Sequence, residues 1–198
     1  MLEELVRRAR SCRRFEEEVP LGMQQLEQLI DMGRLSPCGA NKQYIKYVAS
    51  CSREINEKIF SCLGWAGYLP EWDGPEPGER PAAYIVMLRD REIQEAMTAD
   101  EGIAGQSIFL GAAEMGLGGC FLMNVQRKKL AGILGLDENR FAVSMVIALG
   151  VPREEVKIVP LGEDGDIRYY RDENQVHYVP KRSLEEVLVQ KWGSEDEK

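Results

Sequence analysis

The chain has 198 residues, 44% of them hydrophobic, and its 33 acidic side chains outnumber 25 basic ones, which gives a net charge of −8. This length and hydrophobic fraction suffice for one buried core, so we predict a single domain over residues 5–190. An acidic chain without a basic stripe is atypical of a nucleic-acid binder, and no apolar run is long enough to span a membrane. The N-terminal sequence lacks the order of a secretion signal, so we expect a cytoplasmic protein without nucleic-acid or membrane partners.

The first third of the chain predicts two helices, a turn and a strand–helix pair. Residues 1–10 and 21–34 have the apolar spacing of helices. The segment 36–41 is rich in turn-forming residues, and a strand over 44–50 and a helix over 53–63 follow it.

Residues 64–81 form the longest segment without helical or strand periodicity, and they include four prolines and two tryptophans. A solvated linker gains nothing from tryptophans, so we expect this loop to cover something apolar. It is a candidate lid over a binding site. A loop packed passively on the surface explains the composition equally well.

The second half of the chain alternates strands, over 83–88, 120–124 and 143–149, with helices over 100–116 and near 126–134. The first of these helices is the most apolar in the protein, yet it contains several glycines, each of which costs about 1 kcal/mol relative to alanine. We therefore expect a central helix that its neighbours approach closely. The uneven alternation predicts an α+β fold with a mixed sheet.

The chain from residue 160 to 190 is interpreted as a C-terminal arm. It is predicted to be irregular until Ser183, where the spacing to Glu186 is that of a capping box that opens a last helix. Its tyrosines and valines are too apolar for a free tail, so we expect the arm to embrace its own subunit or a neighbouring one. Residues 194–198 are predicted to be disordered.

Five arginines fall within residues 7–14 of this acidic chain, and a second basic pair, Lys181 and Arg182, lies near its other end. The guanidinium fork matches phosphate geometry, so one hypothesis is a phosphate-bearing cofactor that is held by both ends of the chain. The alternative is a solvated first helix with arginines near its C-terminal end, where the helix dipole favours cations.

The five cysteines are widely spaced and include no C-x-x-C pair, so we expect neither a disulfide framework nor a metal site. The single histidine, His177, is interpreted as structural. If the chain is an enzyme, its hard chemistry is expected to belong to a cofactor rather than to a catalytic side chain.

Two glycine- or proline-containing segments are informative. The segment 116–119 is not a dinucleotide-binding fingerprint, because a predicted helix precedes its glycines and a strand follows them. Gly116 is instead expected to end that helix in the left-handed conformation. In the segment 36–43, Pro37 fixes the backbone, and the side-chain amide of Asn41 can donate and accept hydrogen bonds at the edge of a flat heterocycle. Taken alone, such a turn is more often structural.

Five motifs then occur in one order along the chain: Arg-Ser-x-Arg-x-Phe at 10–15, Ser-Pro-x-x-x-Asn-x-Gln at 36–43, Gly-Leu-Gly-Gly-Cys at 116–120, Ala-Leu-Gly-Val-Pro at 148–152 and Val-Pro-Lys-Arg-Ser at 179–183. With this set, the chain resembles the nitroreductase family of FMN-dependent NAD(P)H oxidoreductases from about residue 5 to residue 190. The resemblance implies an α/β/α sandwich around a mixed or antiparallel sheet and an intertwined homodimer. It also implies FMN at the subunit interface and NADH or NADPH as co-substrate.

Matched residue by residue, the resemblance assigns the FMN contacts to four short segments. Those expected near the phosphate and ribityl chain are Arg10, Ser11 and Arg13, with Lys181 and Arg182 returning to the phosphate. Those expected near the flavin ring are Gly118 and Gly119 and, usually from the other subunit, Pro37, Cys38 and Asn41. The chain departs from the family pattern at Ala9, where an arginine is common, at Cys38, where Ser or Thr is usual, and at Tyr44, where Pro or Trp is frequent.

The resemblance implies no obligatory catalytic side chain, because hydride passes through flavin N5 to an acceptor bound in the same place. A backbone amide or Lys42 would supply a positive field at the flavin. Acceptors of the family class are nitroaromatics, quinones, enones or free flavins, which the sequence does not rank. Two other interpretations stay open: a non-catalytic FMN-binding redox sensor or flavin carrier whose acceptor site is closed by Trp65, Tyr68 or Trp72, and an interaction protein without a cofactor.

Overall fold

A computed structural model of the chain describes residues 1–193, and the predicted disorder of residues 194–198 lies outside this range. The chain divides into two compact units, Met1–Glu154 and the part that begins at Glu155. The helices of the first unit are α1 (Leu2–Arg8), α2 (Met23–Arg34), α3 (Arg53–Phe60), α4 (Asp100–Glu114) and α5 (Arg127–Leu134). Its strands are β1 (Ile45–Ser50), β2 (Ala83–Asp90), β3 (Gly118–Leu122) and β4 (Phe141–Gly150). Each helix and strand predicted for this unit is confirmed, with shifts at the ends.

The four strands form one sheet in the order β1-β2-β4-β3, and every neighbouring pair is antiparallel. The central strands β2 and β4 are buried along most of their length, which explains their continuous apolar sequences. Successive residues of β2 belong to two different apolar clusters: Ile85 packs with α2 and α4, and Val86 packs with α3 and α5. The α+β prediction is confirmed, but this sheet is antiparallel throughout and not the mixed sheet that the alternation of strands and helices predicted.

Helix α4 is the most buried helix, and nine of its fifteen residues are buried, so it has no single apolar stripe. Gly105 explains why glycine is tolerated there, because a Cβ at this position would lie 2.8 Å from Cε1 of Phe121. The helix stops as predicted: Gly116 has φ 77°, and the N–H of Leu117 donates to the carbonyl of Ala112 over 2.8 Å.

The second unit holds three short strands and a short helix: β5 (Val156–Pro160), β6 (Tyr170–Arg171), β7 (His177–Lys181) and α6 (Leu184–Val187). β7 is central, parallel to β5 and antiparallel to β6. The prediction of an irregular segment from residue 160 to Ser183 was therefore wrong. These strands are too short for a visible alternation, and β5 and β7 pair across a long connection that local sequence does not encode.

The capping box at Ser183 is confirmed. Its Oγ accepts from the N–H of Glu186 over 3.2 Å, and the carboxylate of Glu186 accepts from the N–H of Ser183 over 2.9 Å. Within the described residues, no helix is long and apolar enough to cross a membrane.

Two glycines of α4 give a matched test of its packing. A Cβ at Gly102 would meet no atom within 4 Å, whereas one at Gly105 would press on the ring of Phe121. Gly102→Ala is therefore expected to raise the free energy of unfolding by about 0.5–1 kcal/mol, because it removes only backbone entropy of the unfolded chain. Gly105→Ala is expected to lower it by about 1–3 kcal/mol through overpacking. Urea unfolding of both variants checks this, and equal effects would contradict the packing assigned to α4.

Candidate functional site

The predicted N-terminal and glycine segments meet in the structure. The N–H of Cys12 donates to the carbonyl of Gly119 over 2.7 Å, and Ser11 pairs with Gly119 as an isolated parallel bridge. The N–H of Phe15 donates to the carbonyl of Glu79 over 2.9 Å. The first unit therefore brings Ser11 and its neighbours Arg10 and Arg13 to the start of β3, where Gly118 and Gly119 lie.

The two glycines are required by this packing. A Cβ at Gly118 would lie 3.0 Å from Cβ of Cys12, and a Cβ at Gly119 would lie 2.7 Å from Cε2 of Phe109 and 3.0 Å from the carbonyl oxygen of Ala148. Any larger residue would push the N-terminal segment away from β3 or clash with β4.

The two predicted phosphate-binding arginines lie in different environments. Arg10 is half-buried, and its Nη2 donates to the carbonyl of Val6 over 2.9 Å. Its buried Nε has no hydrogen-bond partner among the described residues, and burial lowers the pKa of its guanidinium. Arg13 is 9% exposed, and its backbone N–H donates to the carboxylate of Glu154. A buried N–H donor without a partner is the feature that a bound anion satisfies.

Three other arginines of the cluster bind protein groups. Arg7 pairs with Glu3 across one helical turn, and Nη2 of Arg8 donates to the carbonyl of Ala113 near the end of α4. Arg14 forms a largely buried ion pair with Glu79, so it is not a solvated position. The solvated-helix alternative fits Arg7 and, apart from its bond to α4, the exposed Arg8, but it does not fit Arg14.

The two cysteines beside this segment are poor nucleophiles. Cys12 and Cys120 are both almost fully buried. Burial raises the pKa of Cys12 to about 12, and the negative charge of Glu154 adds to that shift. Burial also raises the pKa of Cys120. Both thiols therefore stay protonated at neutral pH.

The predicted turn over residues 36–43 lies at the other end of α4. The carboxylate of Asp100 accepts from the N–H of Gly39 over 3.1 and 3.2 Å, and the Cys38 thiol lies 3.3 Å from the same group. The hydrogen bond from the Gly39 N–H has the largest effect, and together these contacts hold the pKa of Asp100 below its usual range, although burial acts in the opposite direction. Cys38 is thus oriented by Asp100, a residue that the sequence did not single out.

The backbone of this turn is held in an uncommon conformation. Ala40, Asn41 and Gln43 have φ of 50°, 52° and 52°, in the left-handed region that non-glycine residues rarely adopt. Asn41 is exposed; its backbone N–H donates to the carbonyl of Cys38 over 2.9 Å, and its own carbonyl accepts from Nε2 of Gln43 over 3.3 Å. Such strain is concentrated at functional segments and motivates a functional hypothesis for the turn.

A cavity of about 690 Å³ opens beside the turn, and Pro37 and Cys38 line it with residues of α2, β1 and the start of α4. Tyr47 lines the same cavity, and burial raises the pKa of its phenol to about 12. Lys42 is exposed, and its Nζ donates to Oε1 of Gln94 over 2.6 Å. The cavity combines an apolar wall with a few polar groups, as small-molecule sites commonly do.

The N-terminal arginine segment and the turn over residues 36–43 are separated by the length of α4. Arg8 contacts the carbonyl of Ala113 near its C-terminal end, and Gly39 contacts Asp100 at its N-terminal end. Fifteen helical residues span about 22 Å. A single chain therefore does not place Asn41 beside Arg10.

The loop over residues 64–81 covers an apolar surface, as predicted. Trp65 packs on Phe60 of α3 with ring centroids 5.7 Å apart, and Trp72 meets Trp65 edge-on at 6.5 Å. At the end of the loop, Glu17 accepts from the backbone N–H groups of Gly78 and Arg80. The loop is therefore anchored at both ends, and its movement as a lid stays a prediction.

Lys181 and Arg182 lie in the second unit, at the end of β7 and just beyond it. Both are exposed, and they line a cavity of about 370 Å³ with the last residues of β5 and with Ser183 and Glu186. Nη1 of Arg182 lies 3.0 Å from the carboxylate of Glu186. His177 of the same strand is buried, with its ring 5.2 Å from that of Tyr169, consistent with the structural role predicted for it.

A buried acidic cluster at the start of α4 escaped sequence reasoning. Glu101 is fully buried and accepts from the hydroxyl of Tyr44 over 2.7 Å and from the N–H of Thr98 over 2.9 Å. Burial raises the pKa of Tyr44. Two acidic residues in the first turn of an apolar helix were the available signal, but only the tertiary contacts distinguish them from ordinary helix-capping residues.

Residues 71–151 match the nitroreductase family. The resemblance to this family is confirmed. No curated protein matches the sequence. Among solved structures, the chain is similar to a protein from Desulfovibrio desulfuricans, assigned as a nitroreductase and bound to FMN, with 19% identity, 98% coverage of each chain and a TM-score of 0.68.

Two further structures share the fold. An FMN-dependent nitroreductase from Clostridium difficile R20291 has 20% identity, with 76% of this chain and 87% of that chain covered and a TM-score of 0.63. A gut-bacterial enone reductase of fatty acid saturation metabolism has 19% identity, with 78% and 90% covered and a TM-score of 0.64. At these identities the structures establish the nitroreductase fold, and activity is a separate question.

The Asp100 contacts predict a pH dependence of stability. The pKa of Asp100 is lowered in the folded protein, so its stabilising contribution is present above the unfolded value of about 3.9 and is lost as the pH falls through the folded value. Asp100→Asn removes this loss, so its free energy of unfolding is expected to fall less steeply below about pH 4. Urea unfolding over a pH series checks this against Asp31→Asn, which removes an exposed carboxylate. If the free energy of unfolding fell equally steeply at acid pH in the wild type and in Asp100→Asn, the assignment would be contradicted.

Proposed function

We propose that this chain is an FMN-dependent oxidoreductase that transfers hydride from NADH or NADPH to a small electrophilic acceptor. The proposal rests on the hydrogen bond that the N–H of Cys12, within the Arg-Ser-x-Arg segment, donates to the carbonyl of Gly119. A solved structure of the same fold contains FMN and aligns over 98% of both chains. FMN, when bound, supplies the hydride-accepting and hydride-donating position. The chain supplies binding, orientation and exclusion of water.

The phosphate end of the proposed site fits an anion. Arg10 presents a buried Nε without a partner among the described residues, which a phosphate oxygen would satisfy. Ser11 adds a hydroxyl beside the start of β3, and Arg13 lies two residues further along the same segment. Lys181 and Arg182 are proposed to add cationic groups, because both are exposed in the second unit.

The ring end of the proposed site comes from a second copy of the chain. Arg10 and Asn41 lie toward opposite ends of α4, a helix about 22 Å long. One flavin in contact with both segments therefore requires two chains. Pro37, Cys38 and Asn41 are proposed to border the partner's flavin, with the strained turn fixing the Asn41 amide. A homodimer with two equivalent sites follows from this arrangement.

The acceptor is proposed to be a nitroaromatic, quinone, enone or flavin. The cavity of about 690 Å³ beside Pro37 and Cys38 is large enough for such planar molecules. Tyr47 lines this cavity and stays protonated at neutral pH, because burial raises its pKa to about 12. It can therefore donate a hydrogen bond to a carbonyl or nitro oxygen.

The first prediction from this proposal concerns composition and redox chemistry. The purified protein is expected to be a yellow dimer with one FMN per chain, and NADH or NADPH is expected to bleach the flavin without oxygen. Light scattering, the flavin absorbance ratio and an anaerobic titration measure these properties. A yellow protein that neither reduced nicotinamide bleaches would point to the non-catalytic flavin carrier, and a colourless monomer would overturn FMN binding altogether.

Arg10 provides the sharper test of the phosphate contact. Arg10→Ala is expected to weaken FMN binding at least about tenfold, because one charge-assisted hydrogen bond contributes about 1.5–3 kcal/mol. Arg7→Ala is the matched control, since Arg7 is exposed and its ion pair is with Glu3 of the same helix. Fluorescence titration of the apoproteins measures both dissociation constants.

Arg14 and Arg13 are less suitable for this test. A change at Arg14 would break its ion pair with Glu79, and a carboxylate at position 13 would lie beside Glu154. Truncation after Val176 would be unsuitable as well, because it would remove β7, the central strand of its sheet.

Equal FMN affinity in Arg10→Ala and Arg7→Ala would exclude Arg10 as a phosphate ligand.

A further inference from the structure

A second cationic cavity lies at the opposite end of the sheet from the start of β3. Its volume is about 430 Å³, and its lining carries four cationic side chains and one carboxylate: Arg89, Arg91, Arg127, Lys128 and Glu138. This concentration of positive charge stands out in a chain with a net charge of −8. A concave surface of one sign focuses the electrostatic field and attracts small ions of the other sign.

The cavity is separate from the proposed phosphate-binding segment at Arg10. In the register of the sheet, Gly118 lies opposite Gly150, at the end of β4, whereas the cavity is lined by residues 141–144 at its beginning. The seven residue-to-residue steps of strand from Val143 to Gly150 span about 23 Å. A ligand in this cavity therefore does not reach the Arg10 segment.

Two of the four cations have no carboxylate partner in the part of the chain that the structure describes. Arg127 donates to the carbonyls of Val143 and Ser144 over 3.1 and 3.3 Å, at an edge of β4 that β3 leaves uncovered beyond Leu122. Nη2 of Arg127 also donates to the carbonyl of Met123 over 3.0 Å, and Lys128 is exposed; in residues 1–193 neither side chain has a salt bridge to an acid. The charge of this part of the wall is therefore available to a ligand.

The other two cations are only partly neutralised. Arg91 lies 3.4 Å from the exposed Glu95. Arg89 lies 3.9 Å from the buried Glu101, a long ion pair, and its buried Nε has no hydrogen-bond partner within the part of the chain that the structure describes. A buried donor without a partner is unfavourable in the free protein and becomes favourable when an oxyanion accepts from it.

Ser144 provides evidence for a ligand that does not depend on the charges of the cavity. It is 2% exposed, and its Oγ has no hydrogen-bond partner in residues 1–193. It is also the extra residue of a β-bulge, because the register passes from Met87 opposite Met145 to Leu88 opposite Val143. Bulges are frequent beside binding sites, where they redirect a side chain.

We propose that this cavity binds a small, multiply charged oxyanion, either a phosphoester or a polycarboxylate. Arg91 and Lys128 supply its counter-charges, and Nε of Arg89 and the hydroxyl of Ser144 donate hydrogen bonds to it. Phe141 and Met97 line the same cavity and would contact the carbon skeleton of such a ligand. This site does not depend on the proposed flavin chemistry.

Isothermal titration of the full chain as purified, at low chloride, tests the charge contacts with two probes, inorganic pyrophosphate and citrate. We expect at least one of them to bind with a stoichiometry of one per chain, and the preferred probe identifies the ligand class. The double variant Arg91→Ala/Lys128→Ala is expected to weaken that binding at least about tenfold, as the loss of one charge-assisted hydrogen bond implies.

The matched control is Lys58→Ala/Lys129→Ala, which removes the same charge from α3 and α5 outside the cavity. It is expected to stay within about twofold of the wild type, because distant surface charges are screened by salt. Failure of both probes to bind the wild type, or equal weakening in the two double variants, overturns the proposal.

Ser144→Ala separates binding from folding. Removing a buried hydroxyl without a partner is expected to leave the melting temperature of the free protein unchanged or raised. The same variant is expected to bind the preferred probe more weakly and to show a smaller increase in melting temperature when the probe is added. Wild-type affinity in Ser144→Ala overturns the assignment of its hydroxyl as a donor.

Discussion

Helix α4 is the element on which the rest of the first unit depends, because both groups of candidate site residues are fixed to its ends. Its C-terminal end is held by Arg8 on the carbonyl of Ala113 and by the stop at Gly116, and the chain continues directly into the glycines of β3. Its N-terminal end is held by Asp100, whose carboxylate organises the turn at Gly39. The small residues of α4 make this possible, since aromatic rings such as Phe121 lie directly against its backbone.

Charge is distributed unevenly over this acidic protein. Buried or half-buried carboxylates such as Asp90 and Glu79 are paired with Arg140 and Arg14, where they stabilise the fold. Among the described residues, Arg10 in the N-terminal segment and Arg89 in the cavity at the beginning of β4 each carry a buried Nε without a hydrogen-bond partner. Because the surrounding protein is acidic, such places are the ones where a small anion gains most from binding.

The similarity to nitroreductase structures persists at about one identical residue in five, and in this chain the glycines before and within β3 meet requirements of the backbone. Gly118 and Gly119 are needed so that the N-terminal segment can lie on β3, and Gly116 is needed to stop α4. These are backbone requirements with few substitutes. The side chains proposed to contact an acceptor meet no such backbone requirement, so the fold does not fix the substrate.

The sequence by itself determined the helices and strands of the first unit, the stop at Gly116 and the family resemblance, because periodicity, glycine position and motif order are local properties of a chain. It also identified the Arg-Ser-x-Arg segment and the turn at Pro37. Only the tertiary structure decided that Arg14 is committed to Glu79, that Asp100 orients Cys38, and that four cations surround one cavity. It also revealed the strand pairing of β5 with β7. Each of these depends on contacts between residues far apart in the chain, which local sequence patterns do not specify.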